Sequence, residues 1–164
     1  MNIRRTKSFA LATLPALGAF LVLQACGGSD DATAQEVTAD PLEGVWESVI
    51  TTRDCTTSAA TGTFIGSQVF HRGGTMSDTN ASPTATRGPG FGTWVKAGAT
   101  YTVKFRFYSY DATGVVSGVT RVTRTVTPGA TAGAATSVNT NQLFDLTGAL
   151  VRSTCATDVS TKVL

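Results

Sequence analysis

Apolar and polar residues alternate along much of 41–164, the period expected of strands that bury one face. Thr, Val and aromatic residues are frequent there, and no run has the period of an amphipathic helix. The clearest alternation lies in Tyr101–Tyr110. One face of that segment would carry Tyr101, Val103, Phe105 and Phe107. The pattern therefore predicts an all-β domain.

Turn residues divide this region into eight predicted strands: Val45–Asp54, Gly62–His71, Gly74–Asp78, Phe91–Lys96, Thr100–Tyr110, Val115–Thr127, Thr136–Asp145 and Ala149–Ser160. Short connections favour antiparallel neighbours, because parallel strands need long crossovers. Such strands form a sandwich or a closed barrel, and closure removes the exposed edges of a Val/Thr-rich sheet. We predict an eight-stranded antiparallel up-and-down barrel over 41–164.

Two similar turns, Asp111–Gly114 and Asp145–Gly148, are predicted to set the register of the hairpins around them. If Asp111 lies opposite Val115, then Phe105 faces Arg121, and this arginine points into the barrel. A slip of one residue would turn Arg124 inward instead, because the face flips with register. The first register is favoured, because the one-residue slip would also set Lys104 opposite Arg121, a pair of like charges. A further alternative is that Arg121 and Arg124 both lie at strand ends, where their side chains reach water.

Residues 1–25 resemble a bacterial export signal that ends in the lipobox Leu23-Gln24-Ala25-Cys26. Basic residues precede an apolar run, Phe9–Leu23, that is shorter than the roughly 20 residues of a membrane-spanning helix. Bacterial lipoproteins are cut before this cysteine, which then carries a diacylglycerol. Gly27, where an Asp would favour the inner membrane, implies sorting to the outer membrane. The resemblance implies a lipid bilayer as partner through Cys26, at the periplasmic face.

Residues 26–40 are predicted to be the lipidated cysteine and an acidic, disordered tether, because they carry few apolar residues. Such a linker has an r.m.s. reach of roughly 20 Å. The leader holds three of the 13 basic residues, so its removal leaves 10 basic against 11 acidic residues. No cluster of Lys and Arg remains along the mature sequence. Nucleic acid is therefore not an expected partner.

With Cys26 carrying lipid, Cys55 and Cys155 remain, and export to an oxidising compartment predicts a disulfide between them. The alternative is a redox-active or unpaired thiol, although neither cysteine lies in a CxxC motif. If the two cysteines face each other on neighbouring antiparallel strands, Trp46 faces Leu164. That pairing would bring the first and last strands together and close the barrel.

Gly44-Val45-Trp46 at the start of the first strand resembles the opening motif of the calycin superfamily, the lipocalin and avidin type of barrel. The resemblance implies that the Trp46 indole plugs one end and that a basic residue of the last strand, Lys162, covers it. Gly92-Thr93-Trp94 repeats the motif, and the Thr-Asp-Tyr loop of lipocalins is missing. Residues 90–126 are also similar to uncharacterised exported bacterial barrels, which suggest no activity.

A barrel closed by Trp46 would open at the other end, beside the long loop Thr79–Gly90. We expect a cavity there for a small, largely apolar ligand. Its predicted lining is Trp46, Trp94, Tyr101, Val103, Phe105, Phe107 and Arg121. The alternative is an interior filled by these side chains.

Other functions are weaker expectations. A protease-inhibitor or partner-binding barrel would use the arm Ser29–Asp40, and a purely structural envelope lipoprotein would need no site. Catalysis is not expected, because His71 is the single histidine and no Gly-x-Ser-x-Gly motif is present. No His or Cys pair has metal-ligand spacing, so no cofactor is predicted.

Overall fold

A computed structural model describes residues 38–81 and 86–164, and all regular secondary structure there is β. The strands are β1 Gly44–Arg53, β2 Ala60–Phe70, β3 Thr75–Asn80, β4 Gly90–Ala97, β5 Thr100–Tyr110, β6 Val116–Pro128, β7 Ala134–Phe144 and β8 Leu150–Lys162. Each strand pairs antiparallel with the next, and β8 pairs with β1. The predicted eight-stranded antiparallel barrel is confirmed.

The export signal, Cys26 and the tether up to Val37 lie outside the described residues, so these remain predictions. Within residues 38–81 and 86–164, no helix is long and apolar enough to cross a membrane.

A disulfide joins Cys55 to Cys155, as predicted, with a Cα–Cα distance of 5.1 Å. The predicted strand register was wrong by two residues, because Trp46 pairs with Lys162 and Arg53 pairs with Cys155. The cause is that Cys55 lies in the turn after β1 ends at Arg53, so the bridge runs diagonally. An even shift leaves every side chain on its predicted face.

The register between β5 and β6 also differs from the prediction, although the turn itself was predicted correctly. The Asp111 amide donates to the Val115 carbonyl at 2.9 Å. A β-bulge next to Tyr110 then adds one residue to β6, so Phe105 faces Val122 and Arg106 faces Arg121. The prediction of an inward Arg121 was therefore wrong. Arg124 is the inward arginine.

Gly118 lies next to this bulge on β6 and close to the backbone of β7. A Cβ atom at Gly118 would lie 2.2 Å from the Phe144 carbonyl oxygen, which is too close for any residue with a side chain. β6 and β7 can approach each other closely at this point because glycine has no Cβ atom.

Three aspartates cap turns at one end of the barrel. Asp111 Oδ1 accepts from the amides of Thr113 (2.8 Å) and Val115 (3.0 Å), and Asp145 Oδ1 accepts from those of Thr147 and Ala149 (both 2.9 Å). Asp54 makes the same kind of contacts with Thr56 and Thr57. Bonds from threonine hydroxyls and backbone amides lower the pKa of all three carboxyls below 3.8.

These lowered pKa values predict a loss of stability in acid. A carboxyl with a lower pKa in the folded state stabilises the fold above its unfolded pKa, and that contribution disappears as pH falls through the folded pKa. We expect the urea midpoint to fall between about pH 5 and pH 3. The triple variant Asp54→Asn, Asp111→Asn, Asp145→Asn should show a smaller fall, because asparagine keeps the turn but does not titrate. An equal fall of the urea midpoint in both proteins would contradict the assignment of the acid sensitivity to these three carboxyls.

Apolar side chains fill one end of the barrel. The cluster consists of Leu42, Trp46, Phe70, Met76, Trp94, Tyr101, Val103, Val126 and Ala135. The Trp46 indole donates to the Leu42 carbonyl at 2.8 Å, which satisfies its only polar group. Lys162 donates to the Pro41 carbonyl oxygen at 3.3 Å, where the resemblance implied a cation–π contact with Trp46. This layer closes the end that carries the N-terminal part of the domain.

Candidate functional site: a cavity at the other end of the barrel

A cavity of about 450 Å³ occupies the opposite half of the barrel interior. Its lining comes from inward positions of β1, β2, β3, β5, β6, β7 and β8 and from the connection between β3 and β4. The lining residues are Ile50, Thr52, Phe64, Asp78, Asn80, Thr86, Arg87, Phe105, Phe107, Ser109, Tyr110, Ser117, Thr120, Val122, Arg124, Asn139, Asn141, Leu143, Arg152, Thr154, Ala156 and Asp158. The cavity therefore lies at the end predicted for it, beside Thr86 and Arg87 of the connection between β3 and β4.

Aromatic rings form one wall of the cavity. The rings of Phe105 and Phe107 lie 6.4 Å apart between centroids, at inward positions two residues apart on β5. Phe64 and Leu143 add apolar surface from β2 and β7. This wall offers a contact surface for an apolar group.

The predicted lining residues divide into three groups. Phe105 and Phe107 line the cavity, as the alternation in β5 indicated. Trp46, Trp94, Tyr101 and Val103 belong to the apolar cluster that closes the other end. Arg121 lies on the outer wall, with its guanidinium 4.4 Å from the centroid of the Phe144 ring.

An arginine and an aspartate form an ion pair at the bottom of the cavity. Arg124 Nη2 donates to Asp158 Oδ2, and Arg124 Nε donates to Ser137 Oγ at 2.7 Å. The exposed fractions of the Arg124 and Asp158 side chains are 3% and 0%. Burial lowers the pKa of Arg124 to about 10, against the opposing effect of the Asp78 charge. Arg124 is still a cation at neutral pH, so the pair is a buried charged pair.

A second ion pair lies beside the first. Arg87 Nη2 donates to Asp78 Oδ1, and the Arg87 guanidinium stacks on Phe107 at 3.7 Å from the ring centroid. Gln68 donates to the other Asp78 oxygen at 3.3 Å and accepts from Ser48 at 2.8 Å. Burial raises the pKa of Asp78, while the charge of Arg87 acts in the lowering direction. The bottom of the cavity thus holds two cations and two anions.

These charges are satisfied by the protein itself. Among the buried side-chain nitrogen and oxygen atoms that the structure describes, none lacks a hydrogen-bond partner. Spare hydrogen-bonding capacity lies higher in the cavity, in the amide of Asn141 and in the hydroxyls of Ser109, Thr120 and Thr154. A ligand that enters would meet hydroxyl and amide groups before it meets the ion pairs.

Sequence reasoning missed Asp78, Arg87 and Asp158. Asp158 falls on the inward face of β8, in alternation with Ala156 and Ser160, and this position was the available signal. Once one arginine is placed inside, the cost of an unpaired buried charge requires an acid at an inward position.

His71 lies far from this chemistry in the fold. It is exposed in the turn between β2 and β3, next to the closed end, and its Nε2 is 3.1 Å from Ser77 Oγ. A catalytic role would require His71 to lie inside the cavity. Its exposed position in the turn gives no support to such a role. In the described part of the chain, no three His, Cys, Asp or Glu residues lie together as a metal-binding set.

Comparison with protein-family models, with curated proteins and with solved structures finds no match to this chain.

Proposed function

We propose that this barrel binds a small ligand in its cavity and that the chain is a lipoprotein held at the periplasmic face of the outer membrane through Cys26. The observation that supports binding is the cavity itself. Its volume of about 450 Å³ falls within the range of small-molecule sites in proteins, roughly 300–1,000 Å³. An interior filled only by core side chains would leave no such space.

The ligand has an apolar body and an uncharged polar end. Phe105 and Phe107 supply apolar contact area along one wall. At the bottom, Arg124 is paired with Asp158 and Arg87 with Asp78. A charged ligand group would have to break one of these pairs, and an unpaired buried charge is costly. A neutral group that bonds to Asn141 incurs no such cost.

The membrane anchor is supported by the lipobox at Leu23–Cys26 and the apolar run before it. Its test is metabolic labelling of cells with a radioactive fatty acid. Label should appear in the wild-type chain and be absent from a Cys26→Ser variant. Label that persists in the variant would contradict the anchor without touching the cavity proposal.

Two fluorescent probes of similar shape test the cavity and its charge preference. N-phenyl-1-naphthylamine is neutral, and 8-anilinonaphthalene-1-sulfonate carries a negative charge. We expect saturable fluorescence enhancement with the neutral probe and binding at least about 10-fold weaker with the anionic probe, a difference that one uncompensated buried charge readily exceeds.

A matched pair of substitutions shows where the probe binds. Thr154→Phe adds a ring inside the cavity, because Thr154 lines it, whereas Thr140→Phe adds the same ring on the exposed outer face of β7. The neutral probe should lose its binding in Thr154→Phe and keep it in Thr140→Phe. Equal binding by both variants would overturn the cavity as the site.

A further inference from the structure

Three cations and three aromatic rings lie together on the outer wall of β4–β7. Lys104 and Arg106 are exposed on β5, and Arg121 is exposed on β6 directly opposite Arg106. The three rings are Phe91 of β4, Tyr108 of β5 and Phe144 of β7. Phe91 pairs with Arg106. Tyr108 and Phe144 flank Val119 of β6, since both pair with it. We call these six residues the basic wall.

This surface differs from the outer wall formed by the rest of β7 and by β8. The outward positions of the neighbouring strands β7 and β8 carry uncharged residues such as Thr136, Val138, Thr140, Thr157, Val159 and Thr161. Lys104 and Arg106 share one face of β5 in the alternating pattern, but 15 positions separate Arg106 from Arg121, and the bulge in β6 brings these two arginines face to face.

The basic wall is not explained by the stability of the fold. Like charges directly opposite on neighbouring strands repel each other. No carboxylate in residues 38–81 or 86–164 lies within ion-pair distance of Lys104, Arg106 or Arg121. Two large apolar side chains stand beside these charges in water, Phe91 at 61% and Tyr108 at 53% exposed. Cations without acidic partners beside exposed rings are suited to an anionic surface with an apolar layer beneath it.

We propose that the basic wall rests on a membrane surface that contains anionic phospholipids. Lys104, Arg106 and Arg121 would contact headgroup phosphates, while Phe91 and Tyr108 would enter the interfacial layer. Charge complementarity is one argument. The other is the anchor proposed at Cys26, on which this step rests: Cys26 lies 12 positions before Thr38 and would keep the barrel close to a membrane surface. The contact goes beyond the anchor at Cys26, since it would hold the barrel on its side with the cavity facing along the membrane.

Residues 38–164 suffice for the test, because Val37–Leu164 form a compact unit with a closed sheet, its own core and its own disulfide. This fragment lacks the lipobox, so its binding does not depend on the anchor. It would be sedimented with vesicles of phosphatidylcholine, with and without phosphatidylglycerol. We expect binding only to the anionic vesicles, and weaker binding at high salt.

Two variants of equal charge separate the basic wall from net charge. Each basic side chain near an anionic surface contributes about fivefold in affinity, so Arg106→Thr with Arg121→Thr should weaken binding about 20- to 30-fold. The control, Arg72→Thr with Lys96→Thr, removes two exposed cations outside the basic wall and the cavity and should leave binding within about twofold. The first variant should remain folded, because it removes a repulsive pair.

Four outcomes would overturn the proposal: no binding to anionic vesicles, equal losses in the two variants, binding to a single-stranded oligonucleotide without binding to vesicles, or a stable dimer that buries the basic wall and leaves vesicles unbound. Each would leave the cavity proposal untouched, since the fluorescent probes report on the barrel interior alone.

Discussion

Asp158→Ala should lower the free energy of unfolding by about 3–5 kcal/mol, the usual cost of removing one partner from a buried ion pair. Asp158 is fully buried and accepts from Arg124 and from Ser137. Its loss leaves the Arg124 guanidinium inside the barrel with serine hydroxyls as its remaining hydrogen-bond partners. Urea unfolding followed by tryptophan fluorescence measures the effect, because Trp46 and Trp94 are both buried in the core.

Removal of both charges distinguishes the cost of an unpaired ion from the value of the pair. The double variant Arg124→Met with Asp158→Leu should recover most of the lost stability, because a buried pair often contributes little compared with apolar residues of similar volume. Glu47→Ala on the exposed face of β1 is the control and should change the free energy of unfolding by less than about 0.5 kcal/mol. A mild effect of Asp158→Ala would show that Arg124 reaches water.

Local patterns in the sequence were enough to predict the strands and turns. The alternation in β5 placed Phe105 and Phe107 inside, and the Asp and Gly residues of two turns placed the hairpins. Gly114 and Gly148 have φ values of 82° and 89°, the left-handed conformation that glycine adopts without steric cost in such turns. These features depend on residues a few positions apart, so they can be read from one sequence.

The registers could not be read in the same way. A bulge adds one residue to β6 and exchanges Arg121 for Arg124, and it lies beside Gly118, which approaches the Phe144 backbone of β7 closely. The offset between β1 and β8 likewise depends on Cys55 lying beyond the strand end. Both depend on contacts between segments that are distant in sequence.

The candidate site was predicted in part for the same reason. Its aromatic wall follows from β5 alone, whereas its ion pairs join residues on different strands, such as Arg124 of β6 and Asp158 of β8. The two buried ion pairs of the cavity, Arg87 with Asp78 and Arg124 with Asp158, were therefore missed. The basic wall was missed because it appears only when Arg106 and Arg121 are brought opposite each other.

Loss of the disulfide should cost about as much stability as loss of Asp158. Cys55 and Cys155 are 100 positions apart, and a bridge over such a loop stabilises the fold by about 4–5 kcal/mol, because it restricts the unfolded chain. We expect the double variant Cys55→Ser with Cys155→Ser to lose about that much free energy of unfolding in urea. The folded barrel should persist, since β1 and β8 remain joined by their own backbone ladder from Trp46 to Arg53. Dithiothreitol should bring the wild type to the level of the variant and leave the variant unchanged. Equal urea midpoints for the wild type and the variant without reductant would contradict this prediction. The pairing of β1 with β8 would then be as favourable without the disulfide as with it.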